Sequence, residues 1–188
     1  MPVKARDRLL ATAEELFYAE GIRAVGIERI LAESGVGRAS LYRHFPSKDD
    51  LVVAVLEARD RRWRAWLAER VEALGGGPSA VFDALAERFA RNDFRGCAFI
   101  NTMVESADPD GSAHRVAADH KERVVAYLEQ LLTAARVSEP DLLAREFALL
   151  VDGAIVTALR ERTPAPAVRA RRIAQALLAA DGAGAGNG

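Results

Sequence analysis

Apolar residues recur along most of this 188-residue chain at intervals of three and four, the spacing of one face of an α-helix. Leu9, Leu10, Ala13, Leu16 and Phe17 form one stripe, predicting a helix over residues 7–20 that ends at Gly21. Ile27, Ile30 and Leu31 begin another, and Gly35 stands where a helix C-terminus favours a residue tolerant of left-handed φ. Val36 returns to the core, and Leu41 and Phe45 lie four apart on a third, short helix. Residues 27–45 therefore read as two short helices hinged at a glycine.

The later stripes are longer. Leu51, Val55, Leu56, Trp63, Trp66 and Leu67 predict a helix over about 48–73, opened by Ser47 with Asp50 as a short capping box. Gly75-Gly76-Gly77-Pro78 breaks the chain, and Ser79 caps a helix carrying Phe82, Leu85 and Phe89. A nearly all-apolar helix over 98–107 follows, then one from Ser112 to about Arg136. Ser138, with Pro140 and Asp141 behind it, predicts the start of a helix over 142–162, and a last helix spans about 167–180. Residues 181–188 are Gly/Ala-rich and read as a disordered tail. Abundant alanine and short β-branched runs agree with the pattern: the fold class is all-α.

The third helix leaves Arg38, Ser40, Tyr42, Arg43 and His44 on its remaining faces, and no acidic residue occurs between Ser34 and Lys48. A short helix of hydrogen-bonding side chains without carboxylates suits the major groove of DNA, whose base edges offer acceptors. Spacing alone also fits any helical corner in an all-α protein.

The stretch GVGRASLYRHFPSKDDL resembles the signature of the TetR family of bacterial repressors: Gly35, Val36, Ser40, Leu41, Tyr42, His44, Phe45, Lys48, Asp49 and Leu51 are the matching residues. The likeness extends back through the first helix and covers about residues 5–55. It implies an N-terminal three-helix helix-turn-helix domain over 1–47 and a larger helical ligand-binding and dimerisation domain over 48–180. It also implies a cytoplasmic homodimer that binds a near-palindromic operator on double-stranded DNA and is released by an unidentified small-molecule inducer. Arg38, Ser40 and Tyr42 are then expected near bases, with Arg43, His44 and Lys48 on the phosphate backbone. Lys48 in this likeness stands at a helix N-terminus, where the dipole and N–H groups also favour an anion. Where the family usually has Ser or Thr, Gly26 supplies no capping oxygen. The competing reading is a helical DNA-binding regulator without a small-molecule ligand, acting through protein partners.

Charge adds a little. Residues 1–48 hold eight Lys/Arg against six Asp/Glu, and the rest hold 18 against 21, a mildly basic head on an acidic body. Lys4 and Arg6 lie in a stretch, residues 2–6, that reads as a loose arm able to touch phosphate. One cysteine excludes an intrachain disulfide and a cysteine-cluster metal site. No apolar run is long enough to span a membrane, and no secretion signal opens the chain.

In the larger domain, Cys97, Asn101 and Glu105 are expected on one side of the apolar helix, facing a ligand pocket. Trp63, His120 and Tyr127 complete the candidate ligand set. The phrase R-G-C-x-x-x-N resembles one in a subset of TetR relatives, some of which respond to electrophiles or small unsaturated acids. A lone cysteine in an apolar helix is more often an inert core residue. His114 and His120, six apart, do not share a face, so no metal site is expected, and no cofactor. No Gly-rich phosphate loop, Ser/His/Asp arrangement or HExxH occurs, so no enzyme is expected.

Overall fold

The computed structural model describes residues 4–106 and 108–184. Among these it holds nine helices and no strand: α1 Ala5–Glu20, α2 Ile27–Ser34, α3 Arg38–His44, α4 Lys48–Ala73, α5 Ala80–Phe89, α6 Ala98–Glu105, α7 Ser112–Ala134, α8 Pro140–Glu161 and α9 Ala165–Gly184. Chain packing divides them into two compact units: residues 1–62 with 98–120, and residues 63–97 with 121–188. The helices α4 and α7 each contribute one part to the first unit and one to the second. This division by packing differs from a boundary drawn after residue 47.

In the first unit, α1 buries Leu9, Ala13, Leu16 and Phe17 and packs against α2 and α3. Gly35 closes α2 at φ +62°, the left-handed geometry its sequence position predicts. The capping box at α4 is formed: the Ser47 backbone N–H donates to Asp50 Oδ2 at 2.9 Å and the Asp50 N–H to Ser47 Oγ at 3.1 Å. Of the arm expected over residues 2–6, Ala5 and Arg6 are the first residues of α1. Lys4 is the N-cap of α1, Arg6 lies within it with its guanidinium 5.4 Å from the Phe45 ring centroid, and residues 2 and 3 are outside the described residues.

In the second unit, a core of Phe82, Leu85, Phe89, Leu128, Leu132, Phe147, Val151 and Ala174 gathers α5, α8 and α9 with the later parts of α4 and α7. Phe82 and Phe147 meet at 5.6 Å between ring centroids. Two expected side-chain caps are absent: Ser79 is the N-cap of α5 but its hydroxyl makes no capping bond, and the N-cap of α8 is Glu139 rather than Ser138. Ser138 donates its backbone N–H to Asp181, 3.1 Å from Oδ2, and α8 opens from Glu139 with Pro140 in its first turn. Asp181 itself lies within α9, which runs on to Gly184; residues 185–188 of the expected tail are outside the described residues.

Candidate functional site

Two surfaces of the first unit carry its chemistry. The first is α3. Its Leu41 is fully buried and the following Phe45 nearly so, which fixes the rotation of this two-turn helix. Tyr42, at 43% exposure, then points outward with Arg43 and His44, while Ser40 is half-buried. Arg38 is exposed at the helix start and forms an ion pair with Glu28 of α2. No carboxylate lies in α3 itself, so Glu28 is the acid that the fold brings to this surface.

Lys48 is placed differently from the other five. Its ammonium donates to the Ile22 carbonyl at 2.6 Å and lies 6.0 Å from the Phe17 ring centroid. It ties the start of α4 to the α1–α2 connection, and two of its three N–H donors are left to serve a phosphate. Sequence position puts Lys48 at a helix N-terminus; the carbonyl that claims it is 26 residues away.

The second surface is a small cavity of about 30 Å³, enclosed by α1, α4 and α6. Phe17, Ile22, Val52, Val55 and Leu56 form its apolar walls, and Glu14, Arg59, Asn101, Thr102 and Glu105 its polar ones. That volume admits a water molecule or two. Glu14 accepts from Arg59 at 3.0 Å and also pairs with Arg62, while the Arg59 guanidinium sits 4.0 Å from the centroid of the Tyr18 ring. A wider groove of about 330 Å³ shares Ile22, Val52, Thr102 and Glu105, and adds Arg23, Lys48 and Ser112.

Glu105 belongs to both. Its Oε2 accepts the Arg23 backbone N–H at 3.1 Å, and a Cβ built on Gly21 would stand 3.0 Å from its Oε1. Gly21 has φ +91°, so position 21 is held to glycine by conformation and by this close approach together. The C-terminal turn of α6 is thereby fastened to the connection between α1 and α2.

Asn101 and Glu105 are thus the two expected ligand residues that line the cavity. His120 is within the first unit but buried at 2% exposure, its Nδ1 2.8 Å from Asp60 Oδ1 and its ring stacked 3.6 Å from Phe99. Trp63, Cys97 and Tyr127 belong to the second unit, where each is half-buried against the apolar core. Cys97 precedes α6 rather than lying on it, because Gly96 at φ +81° turns the chain before the helix starts at Ala98. Burial raises the Tyr127 phenol above its usual range, with the Glu72 carboxylate adding to the shift.

Asp60 was hidden in the sequence among the arginines of α4, yet it sits four residues after Leu56 and seven before Leu67 on the buried stripe. His120 likewise falls between Val116 and Val124. Two polar residues interrupting apolar stripes must find partners inside, and they find each other.

Comparison with known proteins places these features in context. The pattern described as bacterial regulatory proteins, tetR family, matches residues 9–55. The pattern described as Tetracyclin repressor-like, C-terminal domain, matches residues 79–174. The HTH-type transcriptional regulator YjdC of Escherichia coli (strain K12) is 24% identical over 177 residues, 92% of this chain and 93% of that protein. Among solved structures, the TetR-family regulator SCO4454 from Streptomyces coelicolor is 34% identical with a TM-score of 0.86, covering 96% of this chain and 91% of that one. The reduced form of Escherichia coli NemR is 26% identical with a TM-score of 0.79, covering 91% and 95% respectively.

Proposed function

Because the chain belongs to the TetR family of transcriptional regulators and acts through DNA rather than by catalysis, we propose that it is a homodimeric, cytoplasmic repressor released by a small molecule. The observation that carries this reading is the outward row on α3, with Tyr42, Arg43 and His44 exposed above a buried Leu41 and no carboxylate in the helix. In this reading residues 1–47 bind DNA and residues 48–180 carry ligand binding and dimerisation. Each copy inserts α3 in a major groove, with half-sites about one or more helical turns apart (~34 Å per turn) on a near-palindromic operator. Arg38, Ser40 and Tyr42 contact bases or nearby phosphates, and Arg43, His44 and Lys48 the backbone.

A second copy is supported by α8. Leu142, Leu149 and Val156 recur every seven residues at 51%, 75% and 55% exposure. Gly153 beside them has nothing within 4 Å of a built Cβ, leaving room for another helix to approach closely. On α9, Val168 and Ile173 are also exposed, at 63% and 47%. A twofold pairing of α8 and α9 with themselves covers these groups. A ligand is supported by the cavity at Asn101 and Glu105, which is too tight for anything larger than water as it stands. Entry of an inducer then displaces α6, and Glu105 transmits that displacement to the Arg23 N–H and the α1–α2 connection. A difference of ~1–3 kcal/mol in inducer affinity between two spacings of α3 is sufficient for regulation.

Operator binding by Tyr42→Ala tests the reading. On an operator fragment recovered from genomic DNA by the wild-type protein, the variant should bind about 10- to 100-fold more weakly, the weight of one good base contact, and remain dimeric. Undiminished binding removes α3 as the reading element.

A further inference from the structure

We propose that the second unit carries a separate binding cleft for an organic anion with a flat apolar body, such as an aromatic carboxylate. The cleft has a volume of about 860 Å³ and lies where the end of α5 and its following loop face the α8–α9 turn. Arg91, Arg95 and Arg162 are among its walls, which include no Asp or Glu. Its apolar side is supplied by Phe89 and Phe94, whose ring centroids are 4.9 Å apart. Guanidinium groups and aromatic rings lining one cleft match a planar acid twice, the fork meeting the carboxylate and the rings its body. The apolar floor has no use for a bare inorganic anion.

The arginines are arranged rather than merely numerous. Arg95 donates from one terminal nitrogen to the Asn92 and Phe94 carbonyls, both at 3.0 Å, which holds its side chain by backbone groups. Arg91 is clasped by Asp93 through two bonds of 2.8 and 2.9 Å and so contributes least. That hydrogen-bonded contact holds the Asp93 carboxyl down to about 2, so the clasp persists across the physiological range. Arg162 is the C-cap of α8 at φ +56°, one of two non-glycine residues with positive φ among the described residues. Helices commonly end on glycine there because an L side chain is disfavoured. An arginine in that position, facing the cleft, places a cation against the local conformational preference. Leu159 is shared with the outward apolar residues of α8, so the cleft opens beside the face assigned above to the second copy.

The test uses the full-length protein and titration calorimetry with 2-naphthoate, beside the neutral isostere 2-naphthamide. The wild type should take up one naphthoate per chain and bind the amide at least tenfold more weakly. Arg162→Gly removes the guanidinium and relieves the backbone, so it should raise Tm while weakening naphthoate at least tenfold. Arg95→Gln should also weaken it at least tenfold. A purely structural arginine predicts the gain in Tm with unchanged affinity, which overturns the proposal. So does equal binding of acid and amide, or no naphthoate uptake because the second copy fills the cleft. Weaker DNA binding by both variants with unaltered naphthoate affinity also overturns it, and assigns the arginines to nucleic acid.

Discussion

The helices α3 and α8 both bury one stripe and show another to solvent, but what they show is opposite. Around its buried Leu41, α3 exposes a phenol, a guanidinium and an imidazole. Outside its buried Leu143, Phe147, Val151 and Ile155, α8 exposes leucine and valine every seven residues. Solvent satisfies the first set and not the second. A polar face is therefore stable alone and gains specificity only when DNA replaces water, whereas an apolar face of that length argues for a partner held most of the time. The same difference separates the two interactions in strength: the protein–protein contact is expected to persist when the DNA contact is broken.

The sharpest way to break this contrast is Leu149→Glu. The residue is three-quarters exposed in the single chain, so the substitution leaves each fold intact. Across a twofold it buries two like charges, which lowers association on the order of 100-fold or more. Sedimentation should report monomers at micromolar concentration, and operator binding should be lost with them. A persistent dimer would show that the α8 stripe is ordinary surface. The reverse variant, Tyr42→Ala, must lose DNA binding and keep the dimer.

The interior supplies a control, a polar pair whose partner is already within the fold. His120→Ala leaves the Asp60 carboxylate at 2% exposure without its 2.8 Å contact and removes the ring stacked on Phe99. Breaking a buried pair in this way costs about 3 kcal/mol. Chemical denaturation should show that loss in the isolated protein, and no DNA or second copy should be needed to reveal it. A change below ~1 kcal/mol would mean that water or another group takes over the carboxylate.

What was legible in the chain follows the range of the interactions. Gly35, the Ser47–Asp50 capping box and the Leu41–Phe45 pair depend on neighbours within four residues, and the sequence pattern finds them. Glu28 with Arg38, Lys48 with the Ile22 carbonyl, and Ser138 with Asp181 join residues 10 to 43 apart, and local pattern is blind to them. The turn that Gly96 makes at φ +81° before Cys97 is a backbone feature that side-chain spacing does not announce. Asp60 carried a usable signal, since it interrupts an apolar stripe, but its charged neighbours obscured it.

The smallest expected effect tests whether the polar face of α3 is as ready as it looks. Arg38 is paired with Glu28, and both are more than half exposed. An exposed ion pair is worth at most about 1 kcal/mol, so Glu28→Gln should tighten operator binding by up to about fivefold and not more. The sign follows from two effects in one direction: Arg38 is released, and a carboxylate that repels phosphate is removed. Salt dependence separates the roles of Arg38. If it stays with Glu28 when the wild type is bound, the variant adds a phosphate contact, and the slope of log K against log salt steepens by about one. If Arg38 already leaves Glu28 for a base, affinity rises while the slope stays close to that of the wild type. Weaker binding by Glu28→Gln would mean that Glu28 orients Arg38 for DNA rather than competing for it, and the face on α3 would then be preorganised by that acid.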